Sequence, residues 1–564
     1  MKMNSLTIKF WLMNMQKRFI ILALMLLQSL VWADELQRLT VFFTNDVHGG
    51  IVPQKAEFLN PEFPPVLGGA ASAAGIIKNI RESVQAEGGS TLLIDGGDTF
   101  QGTLVGTLSG GEAVVDYFNM MGYDAVVPGN HDFDQGKDNL IERIKQSNFP
   151  WVATNIFNAE TGKVWEWVKP WVIIEKDGLR IGITGAANVG TAAMSFPENI
   201  KGLEFRQEIP ELQKAVNELR AEKVDMVVAL VHVGLPYDVR EGYESLKQQT
   251  EQEVMNDRSV DAMEIARFVK GIDVLLGGHL HRGYQEPWVD PVNHTICLQN
   301  YANGGNLGVV NLYVDEPTKS IAGFDFAADQ NSLLLLQQDQ FWPDSVVAAF
   351  VKEQQQEYEK EFREVIGVTR TALTRSSIGE SPMNNLILDA MCEAVQADFA
   401  FMNFGGIRAD IKLGSISRED VFKVLPFGNE MVSFQADGKY IKSILEQKLA
   451  GNSRGLAIGG AKVVFNKEMV TGERVVYMEI NGEPLDPEKT YRVVTSDYLL
   501  EGNSGLLMLR RIPRSRVNFH GTLVRDAVIG YIQRHSPFEI EMNGRWKNDD
   551  GYQPTQEWLK KFER

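Results

Sequence analysis

Five apolar runs, each ended by a polar motif, set the frame of this chain: LTVFF before TNDVHGG, TLLI before DGGDTFQG, DAVV before PGNHDFDQG, MVVALV before HVG, and DVLL before GGHLHR. Runs of Val, Leu, Ile and Phe between helical stretches read as central strands of a sheet covered on both faces. In layered α/β folds the loops at the carboxyl ends of such strands meet, so polar groups carried there converge. Of the 8 histidines in the chain, five stand in these motifs: His48, His131, His232, His279 and His281.

The residue types are those of metal ligation. Asp98 is the natural bridge between two ions, because one carboxylate can give an oxygen to each. Asp46, His48 and His281 would complete one position, and Asn130, His232 and His279 the other. Two divalent ions about 3.5–4 Å apart, the spacing of two-metal phosphatases, would bring four positive charges against two carboxylates. The remaining charge holds a phosphate and lowers the pKa of a bridging water. The mixed nitrogen and oxygen set suits Zn, Mn, Co or Fe better than Ca or Mg, without choosing among them. His131 has a different role: with Asp134 holding its ring, it can protonate a leaving-group oxygen, and Asp132 is the weaker candidate for that partner.

Each motif alone is weak. Asp-x-His arises by chance, Gly-Gly-Asp is often a turn, and a lone His232 after an apolar strand reads equally as a satisfied core histidine. Five of them in order over one domain-sized span carry the metal reading.

These motifs resemble those of the calcineurin-like metallophosphoesterase superfamily, and within it the 5′-nucleotidase family of the bacterial 5′-nucleotidase and UDP-sugar hydrolase type. PMNNLILDAM (382–391), NFGGIRADI (403–411), LPFGNE (425–430) and DYLLEGNSG (497–505) extend the resemblance to a second domain. The resemblance implies an α/β fold, a four-layer metallophosphoesterase β-sandwich flanked by helices, followed by a C-terminal α+β nucleotide-binding domain. It implies that Asn403 and Arg408 hold the substrate and that Phe427 and Tyr498 stack on the two faces of a base; core packing is the other reading of these two aromatics. The chain departs from the family at Gly502, Asn503, Ser504 and Gly505, where many members carry Gly-Gly-Asp-Gly, and at Phe404, where Gly is usual. No arginine directly precedes SPMNN, the nearest being Arg370 and Arg375, and His281 stands where some members have Gln.

At 564 residues the chain is too long for one ordinary core. Lys17 and Arg18 precede the apolar run from Phe19 to Leu27, and Val31 and Ala33 place small residues for cleavage, so a signal peptide over 1–33 is expected. Export to a periplasm or the medium follows, with no stable membrane span after cleavage. Cys297 and Cys392 make no disulfide framework. A net charge of −18 disfavours a long nucleic-acid partner, while a small anionic nucleotide remains compatible with a cationic site.

The expected organisation is a dimetal phosphoesterase domain over 36–329, with late strands in ICLQNYA and LGVVNLYVD closing its sheet. A linker helix over 344–366, capped by Asp344 or Ser345, and a substrate-binding domain over 367–545 follow. The leading expectation is release of phosphate from nucleoside 5′-monophosphates by metal-activated hydroxide attack. A 2′,3′-cyclic nucleotide phosphodiesterase or a UDP-sugar hydrolase are the alternatives within the enzyme class, and an inactive exported nucleotide-binding protein is the alternative outside it. Oligomeric state is not legible.

Overall fold

The computed structural model describes residues 36–562, apart from 57, 61, 257–259, 328–330 and 451–454. The expected signal peptide, 1–33, lies outside the described residues, as does the position 329 where the first domain was expected to end. The described residues form two compact units: 36–101 with Gly110–Lys352, and Gly102–Ser109 with 353–562.

The first unit holds two six-stranded sheets. One runs Ile321–Phe326, Asn306–Asp315, Leu36–Thr44, Ser90–Asp95 and Ala125–Val126, with Leu333–Leu335 paired beside Asn306–Asp315. The other runs Trp288–Val289, Ile296–Leu298, Val274–Leu276, Met226–Val231, Leu179–Ala186 and Trp171–Lys176. The strands that end in the polar motifs run parallel to one another within each sheet, Leu36–Thr44, Ser90–Asp95 and Ala125–Val126 side by side in the first and Met226–Val231 beside Val274–Leu276 in the second, while Leu36–Thr44 is antiparallel to Asn306–Asp315 on its other side. Such pairing needs covering on both faces, and the side chains supply it. In Met226–Val231, the residues Met226, Val228 and Leu230 join Leu39, Val41, Phe43, Leu92 and Ile94 of the other sheet in one core. Val227, Ala229 and Val231 turn the other way, under Ile209, Leu212, Val216 and Leu219 of the helix Glu208–Ala221. Helix Gly69–Ala86 buries its Ala and Ile face against the first sheet. The result is four layers: helix, sheet, sheet, helix. The late strands part company: Ile296–Leu298 joins the second sheet and Asn306–Asp315 the first, so they close two sheets rather than one.

The second unit is α+β. Its five-stranded sheet runs Ala457–Gly459, Phe399–Met402, Thr490–Ser496, Glu430–Asp437 and Val517–Leu523, and a four-stranded sheet includes Ala461–Phe465 and Val475–Ile480. Alternation along Phe399–Met402 sends Phe399 and Phe401 into one core, and Ala400 and Met402 into another beneath the helices Pro382–Val395 and Val524–His535. Helix Pro382–Val395 starts at a Ser381 cap, whose hydroxyl accepts from Asn384 N, with Pro382 in the first turn.

The helix expected over 344–366 is shorter. Asp344 caps it, its Oδ1 accepting from Val346 and Val347 N–H, but the α-helix spans Ser345–Tyr358 only. A 3₁₀ turn, Lys360–Arg363, follows, and Val365–Thr369 is a strand paired with Gly414–Ser417. Phe362 packs edge-on against Phe422 at 5.8 Å, so a tertiary contact rather than the helical period governs the segment. Among the described residues, no helix is long and apolar enough to cross a membrane.

Candidate metal centre

All seven proposed ligands lie just past strand ends in the first unit. Asp46 and His48 follow Leu36–Thr44, Asp98 follows Ser90–Asp95, Asn130 follows Ala125–Val126, His232 follows Met226–Val231, and His279 and His281 follow Val274–Leu276. Six of them offer ligand atoms in two overlapping groups. One is Asp46, His48, Asp98 and His281; the other is Asp98, His232 and His279. Within each group the atoms lie within 4.8 Å of one another, and Asp98 belongs to both. The Asp98 Oδ2 atom is 3.7 Å from His48 Nε2 and 3.1 Å from His232 Nε2. His281 Nε2 is 2.9 Å from His48 Nε2 and 3.6 Å from Asp46 Oδ1.

The ring orientations are set from behind. His48 Nδ1 donates to the Gln101 carbonyl at 2.7 Å, and His232 Nδ1 donates to the Gly96 carbonyl at 2.7 Å. A carbonyl only accepts, so both rings carry their proton on Nδ1 and present Nε2 to the site. Asn130 Oδ1 is buried with no hydrogen-bond partner, and Asp98 Oδ2 and His232 Nε2, also buried, have only each other at 3.1 Å. Leaving a buried polar atom unpaired costs about 1–3 kcal/mol, more where charge is involved. Cations are what this donor set lacks, and the residues fit them.

The backbone and the charges tell the same story. Asp46, His48, Asp98, His279 and His281 all hold left-handed φ, between 50° and 73°. Non-glycine residues enter this region at a cost of about 1–3 kcal/mol each, and such strain collects at functional sites. Burial carries Asp46 up to about 7, helped by Asp98, against the pull of His232 and Asn45. Burial also opposes ionised Asp98, but the imidazoles of His232, His131 and His48 hold its carboxyl well below the usual range. Burial takes His48 down to about 3 and His279 to about 4, leaving neutral imidazoles. At His232, burial is overcome by Asp98 and Asp46, which carry it up to about 10. A metal ion would take the place of that proton, so metal binding releases protons.

His131 stands beside this cluster, its N–H donating to Asp98 Oδ1 at 2.8 Å. The structure pairs its Nδ1 with Asp134 Oδ2 at 2.8 Å. Asp132 does something else: fully buried, it accepts from Gly129 N, Asp98 N, Thr99 N and the Thr99 hydroxyl, lacing two ligand loops together. Asn45 was not singled out by the sequence, yet its amide donates to Asp46 Oδ2 at 2.7 Å and to the Asn300 carbonyl. Gly129 is marked in the sequence only as part of the PGNHDFDQG motif. A Cβ there would stand 2.2 Å from Asp98 Oδ1, so its lack of a side chain is what lets the Asn130 loop close on the shared carboxylate.

In the second unit, the proposed substrate residues gather at one end of the five-stranded sheet. Asn403 follows Phe399–Met402 and Tyr498 follows the parallel neighbour Thr490–Ser496. Phe427 lies just before Glu430–Asp437, whose Met431 is registered opposite Ser496. Asn403 Oδ1 is buried without a partner. The Arg408 guanidinium is 5.9 Å from the Phe427 ring centre, and burial and the nearby Arg375 both lower its pKa. Phe427 and Tyr498 are half-buried. Asn503, where the family pattern has a glycine, donates to the Tyr498 carbonyl at 3.0 Å.

Comparison with known proteins follows this division. The family described as calcineurin-like phosphoesterase matches residues 39–283, and that described as 5′-nucleotidase, C-terminal domain, matches residues 364–511. Protein UshA of Escherichia coli K12 is 28% identical over 545 residues, covering 90% of this chain and 93% of that protein. The snake venom 5′-nucleotidase of Naja atra is 29% identical over 556 residues, covering 90% of this chain and 98% of that protein. Among solved structures, a 5′-nucleotidase precursor from Thermus thermophilus superposes with a TM-score of 0.74 at 26% identity, covering 91% of this chain and 99% of that one.

Proposed function

We propose that this chain, which belongs to the 5′-nucleotidase family of calcineurin-like metallophosphoesterases and is a metal-dependent phosphoric ester hydrolase, releases phosphate from nucleoside 5′-monophosphates outside the cytoplasm. The observation that carries the catalytic half is the convergence of two groups of ligand atoms on the one carboxylate of Asp98. Asp46, His48, Asp98 and His281 would hold one divalent ion, and Asp98, Asn130, His232 and His279 the second. Ions bound there supply Lewis acidity at phosphorus and activate the attacking water.

The side chains do the rest. Asp134 fixes the His131 ring through Nδ1, leaving Nε2 to carry a proton to the departing oxygen. Burial disfavours the charged ring, but Asp134 and Asp98 carry it up to about 9, so it is protonated at neutral pH. An acid must hold its proton, so turnover falls as pH rises through the pKa of His131. Removing the Asp134 charge lowers that pKa, so Asp134→Asn is expected to move the alkaline limb of the pH–rate profile to lower pH. An unmoved limb in that profile would separate Asp134 from the acid.

For the substrate, the support is the common sheet end of Asn403, Arg408, Phe427 and Tyr498. Arg408 offers a planar fork for an anion, and the two aromatic faces would stack a base for roughly 1–3 kcal/mol each, with little choice among bases. The double variant Phe427→Ala, Tyr498→Ala is expected to raise KM for nucleotides by roughly 10- to 1000-fold while barely changing that for p-nitrophenyl phosphate. Equal damage to both substrates would mark the rings as core packing, and no damage would put the base elsewhere. Phosphate release from a panel of 5′-nucleotides, 2′,3′-cyclic nucleotides and sugar nucleotides with Mn, Co and Zn tests the substrate assignment; preference for either of the last two substrate classes overturns it. Export rests on Lys17, Arg18, the apolar run that follows and the small residues Val31 and Ala33.

A further inference from the structure

The turn that carries the shared carboxylate is held by a residue outside the ligand set. Asp95 ends strand Ser90–Asp95, is fully buried and uses both of its oxygens. Its Oδ1 accepts from Gly97 N–H at 2.8 Å, and its Oδ2 accepts from the Thr44 hydroxyl at 2.6 Å. That hydroxyl lies 2.9 Å from the Tyr123 phenol, itself buried, so the anchor runs on into the core.

What the turn does next involves three strands. The Gly96 carbonyl accepts from His232 Nδ1 at 2.7 Å, the Gly97 carbonyl accepts from Asp46 N–H at 2.8 Å, and Asp98 is the next residue. Gly97 holds φ at +90°, and a Cβ on it would come within 2.8 Å of both Gly129 N and His232 Nδ1. The turn therefore has no slack: any shift of the Gly97 peptide moves the groups that orient Asp46, Asp98 and His232 together.

We propose that Asp95 is a positioning residue for both metal positions, its carboxylate locking the 95–98 turn so that Asp46, Asp98 and His232 present their ligand atoms at once. The proposal rests on the metal-site reading above. Groups that orient ligands from behind change metal affinity about 10- to 100-fold when removed, whereas a residue that only packs lowers stability and leaves affinity alone.

The test is a Mn²⁺ titration of phosphate release by the full chain after chelation, with thermal unfolding of the metal-free protein alongside. Asp95→Ala is expected to need about 10- to 100-fold more Mn²⁺ for half-maximal rate, with KM for nucleotide unchanged and most of kcat returning at saturating metal. Asp95→Asn keeps an oxygen for Gly97 N–H and should stay within about threefold of wild type. A lowered Tm with an unchanged Mn²⁺ requirement in Asp95→Ala overturns the proposal. Should that variant not fold, Thr44→Val decides, since it removes only the hydroxyl behind Asp95: a severalfold higher requirement is expected, and none overturns it. A wild-type chain whose rate ignores Mn²⁺, Co²⁺ and Zn²⁺ alike would instead overturn the metal-site reading, and the proposal with it.

Discussion

Asp98→Asn is expected to abolish phosphate release and to empty both metal positions together. The reason is the sharing: Asp98 belongs to both ligand groups, and its Oδ2 faces His48 Nε2 and His232 Nε2 from one carboxylate. The amide has the same shape and keeps an acceptor for His131 N–H, so the loops should hold, but the charge that offsets two cations is lost. Removing groups that merely orient ligands costs about 10- to 100-fold, and loss of a shared ligand should cost more than about a hundredfold in rate. Elemental analysis after dialysis, alongside phosphate release, checks both halves. An active variant with its metal content intact would remove Asp98 from the bridging position.

His131→Ala is expected to leave the metals in place and to slow hydrolysis selectively. Poor leaving groups such as a nucleoside 5′-oxygen need a proton in the transition state, and a positioned acid contributes about 10²–10⁴-fold there. p-Nitrophenolate leaves without help, so its ester should lose far less. His131 is placed for this by the 2.8 Å bond from Nδ1 to Asp134 and by its position against Asp98 rather than within either ligand group. Equal slowing of both substrates, with metals retained, would give His131 another job.

Much of this was legible in the chain, for a physical reason. Strands buried on both faces lose polar alternation, so Met226–Val231 stands out as an unbroken apolar run and Leu36–Thr44 by its buried Val41, Phe42 and Phe43, and the polar residues after them mark the strand ends where the proposed ligands collect. The choice between Asp132 and Asp134 was harder, because both neighbour His131 in sequence. The answer lies in the 3₁₀ turn His131–Phe133, whose three-residue period brings position 134 over 131 and sends 132 the other way, into Gly129 and Thr99. The left-handed backbone at five of the proposed ligands left no trace in composition, since Asp and His do not announce that conformation as Gly does. Nor could periodicity show where the 345 helix stops: Phe362 and Val365 continue its spacing, yet packing on Phe422 and pairing with Ser417 take them out of it. Assignment of strands to two sheets was likewise hidden, because Ile296–Leu298 and Asn306–Asp315 carry similar apolar content and are sorted only by what they pair with.

One chain is expected to hold two divalent ions around Asp98. Elemental analysis of the purified full chain, followed by chelation and stepwise return of Mn²⁺, Co²⁺ or Zn²⁺ with phosphate release from a nucleoside 5′-monophosphate as the readout, measures it directly. The expected result is two ions per chain, activity lost on chelation, and activity restored as both positions refill. Full activity in a chain carrying one ion or none would contradict it.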